Sequence, residues 1–213
     1  MFTSQDIFRQ SKTFFSLFKP FLLCYNDSMK IPLSTVIETK RCRLRVVGRT
    51  DFPHVWSATR YKGFNDGMTW DPPSKMEELE EPYRRNIESW KKGTEYSFGI
   101  DNKETGEFIG RVGIKKEKPY ATWSIGYWIH PDKQRNGYAK ECAAAIVAFG
   151  FTKLNAKTIT SAHAVWNHAS KRVIESLGMK FVRENSEGFI KNGEAVAEYE
   201  YEINCKDWAA LKE

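Results

Sequence analysis

The chain has 213 residues and carries 33 Lys+Arg against 27 Asp+Glu, a formal net charge of +6. A composition of 41% hydrophobic and 28% charged residues fits a globular domain with its own core and excludes wholesale disorder. Cys24, Cys42, Cys142 and Cys205 lie far apart without a CxxC pair, which argues against a zinc ribbon, a redox motif or a disulfide scaffold. No apolar run approaches the roughly 20 residues of a membrane helix, and Lys and Arg are dispersed, so neither a membrane nor a nucleic-acid partner is expected.

Residues 1–29 read as an N-terminal extension of uncertain order. Lys19-Pro20 interrupts their apolar stretch, no cleavage site follows, and Met29 offers an internal start. Residues 30–213 read as a single domain. Residues 37–47 form an extended segment, and Thr50-Asp51-Phe52-Pro53 opens a helix with an N-cap and an early proline. Asn65-Asp66-Gly67 and Trp70-Asp71-Pro72-Pro73 mark a turn-rich loop. Ser74-Lys75-Met76-Glu77 reads as a capping box for a helix toward Lys92, with Pro82 as a kink. Tyr96–Ile100 and Glu107–Lys116 form a hairpin, in which Gly110 and Gly113 suggest twist, a bulge or close approach.

Thr122–His130 is rich in aromatic and β-branched residues and reads as a strand that Pro131 ends. After the polar loop Asp132–Gly137, apolar or small residues at Ala139, Cys142, Ala143, Ile146 and Phe149 give a helix one buried face. Lys157–Val165 is a strand, Asn167–Leu177 a helix stopped by Gly178, and Met179–Arg183 and Ala197–Ile203 the last strands. The whole is a mixed α/β domain of about seven strands and four helices.

A strand, a glycine-bearing loop and a helix start make an anion site by geometry. The first backbone N–H groups of a helix have no internal partner, and its dipole adds positive potential. Gln134-Arg135-Asn136-Gly137-Tyr138-Ala139 stands at such a junction, and Lys133, Arg135 and Lys140 add charge. By itself the loop reads more simply as an ordinary connection with a glycine for its turn. The P-loop, dinucleotide, GxSxG, HExxH and kinase motifs are absent.

Gln134-x-x-Gly137-x-Ala139 resembles the (Arg/Gln)-x-x-Gly-x-(Gly/Ala) motif of the GCN5-related N-acetyltransferases, the GNAT superfamily. Ile125–Pro131 is similar to that superfamily's fourth strand, and Asn167–Met179 to its N-x-x-S-x-R-V-x-E-x-L-G-F block. The Trp70–Pro73 loop resembles the RimJ/RimL subgroup, related to ribosomal-protein N-terminal acetyltransferases. The resemblance spans roughly 36–204, with Met179 for the usual Phe and Asn136 within the loop as departures.

The resemblance implies a GNAT fold, mostly antiparallel, whose fourth and fifth strands (here about 122–130 and 157–165) are splayed by a bulge in the fourth. It implies acetyl-CoA as cosubstrate and no metal. The pantetheine arm would pair with the free strand backbone at Trp128 and Ile129, and the pyrophosphate would meet Gln134, Arg135, Asn136, Gly137, Tyr138, Ala139 and Lys140. Asn167 matches the position that bonds the arm, and Lys171 and Arg172 could reach phosphates. The implied reaction is direct acetyl transfer to a primary amine, a protein N-terminus, a lysine or a small molecule, in a ternary complex.

Ser170 matches a thiolate-protonating position of the ribosomal-alanine branch and also suits a helix-capping role. For the base, Glu187 lies in the expected post-strand loop Glu184–Glu194, near that branch's glutamate, although Phe189 holds the matching position. His130 ends the fourth strand with a side chain suited to proton transfer. Phe64, Trp70 and Tyr83 are expected to pack the acceptor, and Asp66 and Asp71 to attract its amine. The alternative is a non-catalytic acetyl-CoA sensor of the same fold. A cytoplasmic location is expected, and a homodimer is left open.

Overall fold

The computed structural model describes residues 31–211. The expected N-terminal extension, with Cys24, lies outside the described residues. One sheet of eight strands runs in the order β1-β2-β3-β4-β5-β6-β8-β7. The strands are β1 (Val36–Glu38), β2 (Cys42–Val46), β3 (Glu95–Asn102), β4 (Phe108–Glu117), β5 (Thr122–Ile129), β6 (Thr158–Ala164), β7 (Lys180–Lys191) and β8 (Glu194–Asn204). The helices are α1 (Phe52–Thr59), α2 (Glu80–Lys92), α3 (Tyr138–Lys153), α4 (His168–Ser176) and α5 (Cys205–Ala210).

Both ends of the sheet exceed the sequence reading. The segment 37–47 folds back at Thr39–Arg41 into an antiparallel β1–β2 pair. Residues 184–194, expected as a loop, extend β7 and β8 into a long hairpin. Its turn is Asn192-Gly193, both at positive φ (52° and 85°), the geometry that matches the strand twist. All strand pairs are antiparallel except β5–β6, whose connection runs through α3.

The interior lies mainly between the sheet and the face of α3, where Phe98, Ile114, Ile146 and Ile159 are fully buried. A Cβ on Gly150 of α3 would sit 2.7 Å from Ile159 and 2.8 Å from Ile114, so glycine lets that helix approach the sheet closely. A Cβ at Gly110 would overlap the Trp128 carbonyl oxygen, so close approach is the reason for that glycine.

Three local expectations are corrected. Asp51 precedes α1 without capping it: its carboxylate accepts from the Gly48 N–H at 3.0 Å and pairs with Arg45 at 2.7 Å. The box at Ser74 closes on Glu78, which accepts the Ser74 N–H at 2.8 Å and hydroxyl at 2.6 Å. Pro82 lies in the first turn of α2, where its missing N–H leaves no helical bond unmade, and it does not kink the helix.

Candidate active site

β5 and β6 are in register only at Thr122↔Thr158, Trp123↔Ile159 and Ser124↔Thr160. Beyond that point the two strands diverge. The only bridges between them among the described residues are side chains, such as the Ser161 hydroxyl donating to Ile125 O at 3.2 Å. The expected bulge is absent: β4 and β5 pair without a break from Gly110↔Ile129 to Glu117↔Thr122. The gap therefore opens by divergence of a short parallel pair rather than by an inserted residue.

The gap leads to the start of α3. Gly137 precedes the helix at φ 77°, and no side chain caps it, so the first-turn amides from Tyr138 onward are left to an outside acceptor. The Gln134 side-chain amide donates back to Ile129 O at 3.2 Å and closes the end of β5. The Asn136 side chain is spent on the loop, donating to Lys133 O at 3.2 Å and Gln134 O at 3.0 Å, and does not line the cleft. Arg135 and Lys140 are exposed beside the helix start.

Glu141 in the first turn would repel an anion, and the fold answers it. Arg41 Nε donates to Glu141 at 2.7 Å, as do the Arg41 N–H and the Thr39 hydroxyl, each at 2.7 Å. Burial works to raise this carboxyl, but the bonds from Thr39 and Arg41 outweigh it and hold it below its ordinary value. Arg41 also donates to Asn136 O at 2.9 Å, fixing the loop. Local spacing carries no signal for Arg41, which lies far from the loop in sequence.

On the same side as α3, Tyr127 of β5 reaches α4. Its hydroxyl lies 3.0 Å from Ser170 Oγ and donates to Ser170 O at 3.3 Å. Burial, opposed by the bond to Ser170, pushes the Tyr127 phenol up to about 12. Asn167 acts as the N-cap of α4, accepting the Ser170 N–H at 3.1 Å. Arg172 lines the cleft, and Lys171 pairs with Glu175 at 3.7 Å. Buried His163 turns Nδ1 to Ala164 O at 2.8 Å, and its Nε2 has no protein partner among the described residues.

The opposite side of the sheet faces α1 and α2 and is built from cross-strand rows. One runs Ser97–Gly113–Gly126–Ala162–Glu200, the next Gly99–Arg111–Trp128 and, across the gap, Ala164–Glu198. The Gly113–Gly126 pair gives this face a floor without side chains, and nothing stands within 4 Å of a Cβ built on Gly126. Phe64 packs edge-on to both Trp70 and Trp128 and forms a wall. Beside the floor, on the same face, fully buried Asp51 pairs with Arg45 at 2.7 Å and faces Arg111 at 3.6 Å. Both faces border one cleft of about 1910 Å³.

Several expected residues stand elsewhere. Tyr83 packs on Phe52 and under the Arg49 guanidinium, outside the cleft. Asp66 is exposed and does not line it. Asp71 does, but pairs with Lys191 at 2.9 Å, so its charge is already answered. His130 is buried and off the cleft: its Nδ1 accepts the Asp132 N–H at 3.3 Å, its Nε2 lies 3.3 Å from Ser57 Oγ, and burial pushes it below its ordinary value. It secures the turn after β5. Glu187 is exposed, away from the cleft, in a stretch where the β7–β8 register slips between Asn185 and Phe189. Glu198 and Glu200, which the sequence reading passed over, line the cleft instead. The alternation Glu198-Tyr199-Glu200-Tyr201-Glu202 was the signal that could have placed them on one face. Among the described residues no cluster of metal-binding side chains occurs, and no helix is long and apolar enough to cross a membrane.

The acetyltransferase (GNAT) domain family matches residues 41–180. The uncharacterized N-acetyltransferase YnaD of Bacillus subtilis (strain 168) is 28% identical over 177 residues, covering 81% of this chain and 98% of that protein. Two solved structures share the fold. RimL, a ribosomal L7/L12 alpha-N-protein acetyltransferase in complex with coenzyme A, has a TM-score of 0.72 at 17% identity, covering 80% of this chain and 98% of that one. The spermidine N-acetyltransferase of Vibrio cholerae, in complex with CoA and spermine, has a TM-score of 0.69 at 21% identity, covering 79% of this chain and 98% of that one. With its splayed β5–β6 pair running into an uncapped helix start, the chain belongs to the GNAT acetyltransferase family and is an acyltransferase.

Proposed function

We propose that the protein transfers an acetyl group from acetyl-CoA to a primary amine, by direct attack in a ternary complex, with a protein N-terminus or a small-molecule amine as acceptor. The observation that carries this reading is the continuity of the β5–β6 gap with the uncapped start of α3. The residues fit such a cosubstrate. The helix start offers free amides with no side chain in the way at Gly137, and Arg41 neutralises Glu141, the acid of its first turn. The strand edges of the gap offer backbone groups to an extended chain. Acetyl-CoA, when bound, supplies an activated thioester.

The chain's own groups supply the rest. Backbone at the end of β5, around Trp128 and Ile129, can hold the carbonyl oxygen as charge develops on it. The Ser170 hydroxyl, 3.0 Å from the Tyr127 hydroxyl, can protonate the departing sulfur. The acceptor lies on the glycine floor between the Phe64–Trp70 wall and β8. The test is thiol release from acetyl-CoA against a panel of N-terminal peptides, lysine peptides and polyamines, with acetyl-CoA binding measured alongside. Release with at least one amine supports the reading. Binding without release across the panel favours the sensor, and no binding discards both.

A further inference from the structure

An acceptor amine arrives protonated and must lose a proton before it can attack. The two residues that sequence reasoning offered for this, His130 and Glu187, do not line the cleft. His163 does, but its ring stacks on Tyr201, on the side of the sheet opposite the glycine floor. We infer that Glu198 of β8 is the proton acceptor of the reaction, taking a proton directly from the acceptor's ammonium group on the floor side of the gap. This inference rests on the function proposed above and names a residue for its least assigned step.

The geometry supports it on four sides. Glu198 sits opposite Ala164, in the row that continues across the gap to Trp128, so only a methyl group stands between it and the opening. On its other side β7 bulges between Asn185 and Phe189 and lays Gly188 over it: a Cβ there would sit 2.5 Å from Glu198 Cγ. The glycine thus makes the seat in which this carboxylate lies. Among the described residues Glu198 accepts no hydrogen bond and pairs with no cation. The polar groups nearby face other partners, although the buried Arg111 Nε makes no hydrogen bond among the described residues. Arg183 and the Asn185 amide bind Glu200 at 2.8 and 3.1 Å, Lys191 binds Asp71, and Arg111, further along the row, faces Asp51. Burial, and then the charge of Glu200, raise the Glu198 carboxyl above its ordinary value, which improves its match to an ammonium proton.

The step balances without a further reactant. Glu198 takes one proton from the ammonium group and frees the nitrogen lone pair. The C–N bond forms at the thioester carbon and the C–S bond breaks. The sulfur leaves as a thiol carrying the second proton by way of Ser170, and Glu198 returns the first to solvent.

The experiment uses full-length protein with spermidine and a peptide bearing a free N-terminal serine as probes. Glu198→Gln, nearly isosteric, is expected to lower kcat about 100-fold with whichever probe the wild type acetylates, to leave acetyl-CoA affinity unchanged, and to erase the acid limb of the pH profile. Glu200→Gln is expected to move that limb to lower pH. Independently of turnover, the Glu198 carboxyl carbon, followed by NMR without any ligand, should titrate above the ordinary value of 4.5. Unchanged kcat in Glu198→Gln, a rise in KM alone, or a titration at or below 4.5 would overturn the inference while the proposed function stands. A wild type that releases thiol with no amine of the panel overturns both.

Discussion

The two ends of the cleft are built in opposite ways. The end at α3 is local: Gln134, Gly137 and the first turn of the helix follow one another in the chain, and one strand–loop–helix junction leaves the first-turn amides uncapped. The other end, the proposed acceptor side, is assembled from a distance. Its floor is Gly113 of β4 against Gly126 of β5, its wall comes from Phe64 and Trp70, and its carboxylates lie on β8. The difference teaches that a binding function resting on backbone can be written in one stretch, whereas side-chain recognition needs the sheet to be formed first.

The largest expected effect tests the scaffold beside the proposed acceptor end. Asp51→Asn removes the charge that buried Asp51 shares with Arg45 and Arg111, leaving Arg45 with Asp101 and Arg111 with no acid partner among the described residues. We expect a loss of about 3 kcal/mol in urea unfolding, since breaking a buried pair strands its partner. A loss below about 0.5 kcal/mol would reduce the cluster to a surface-like pair.

Next comes the α3 end. Gly137→Asp puts a carboxylate at the uncapped amides and should weaken acetyl-CoA binding about 100-fold, near 2.7 kcal/mol, in a folded protein. Unchanged affinity by calorimetry would show that the phosphates bind elsewhere.

Gly126→Leu sharpens the contrast, because open space surrounds that position and the strand conformation suits a side chain. It should lower kcat/KM for the acceptor about tenfold, roughly 1.4 kcal/mol, with acetyl-CoA affinity and melting temperature unchanged. Equal losses on both sides would mean that the two ends are not separable.

The smallest effect joins distant residues to the local end. Arg41→Ala should weaken acetyl-CoA binding about fivefold by releasing Glu141 toward the helix start, and adding Glu141→Gln should restore most of it. Additive losses would show that Arg41 acts on the ligand directly. Because Glu141 is lower in the fold than its ordinary 4.5, its stabilising contribution is present above that value and fades as pH falls through the folded value. Arg41→Ala should therefore flatten the acid side of the stability curve.

Much of this was legible in the chain. The hairpin β3–β4, strand β5, helix α3 and helix α4 fell where alternation, helical spacing and capping residues put them. The Asn192-Gly193 turn was equally legible, and reading it would have made 184–194 a hairpin and removed Glu187 from the site. His130 and Asp71 could not be judged the same way. Each is chemically able to act, and each is spent on a partner that only folding supplies, the turn after β5 for one and Lys191 for the other.

By itself the sequence determined the family, the strand–loop–helix junction and the glycine-led helix start, because these depend on contiguous backbone and on residues a few positions apart. Only the tertiary structure decided which carboxylates face the cleft, that Arg41 disarms Glu141, and that the strands part without a bulge. Those outcomes depend on register between strands far apart in the chain, and register decides which face of the sheet each side chain occupies.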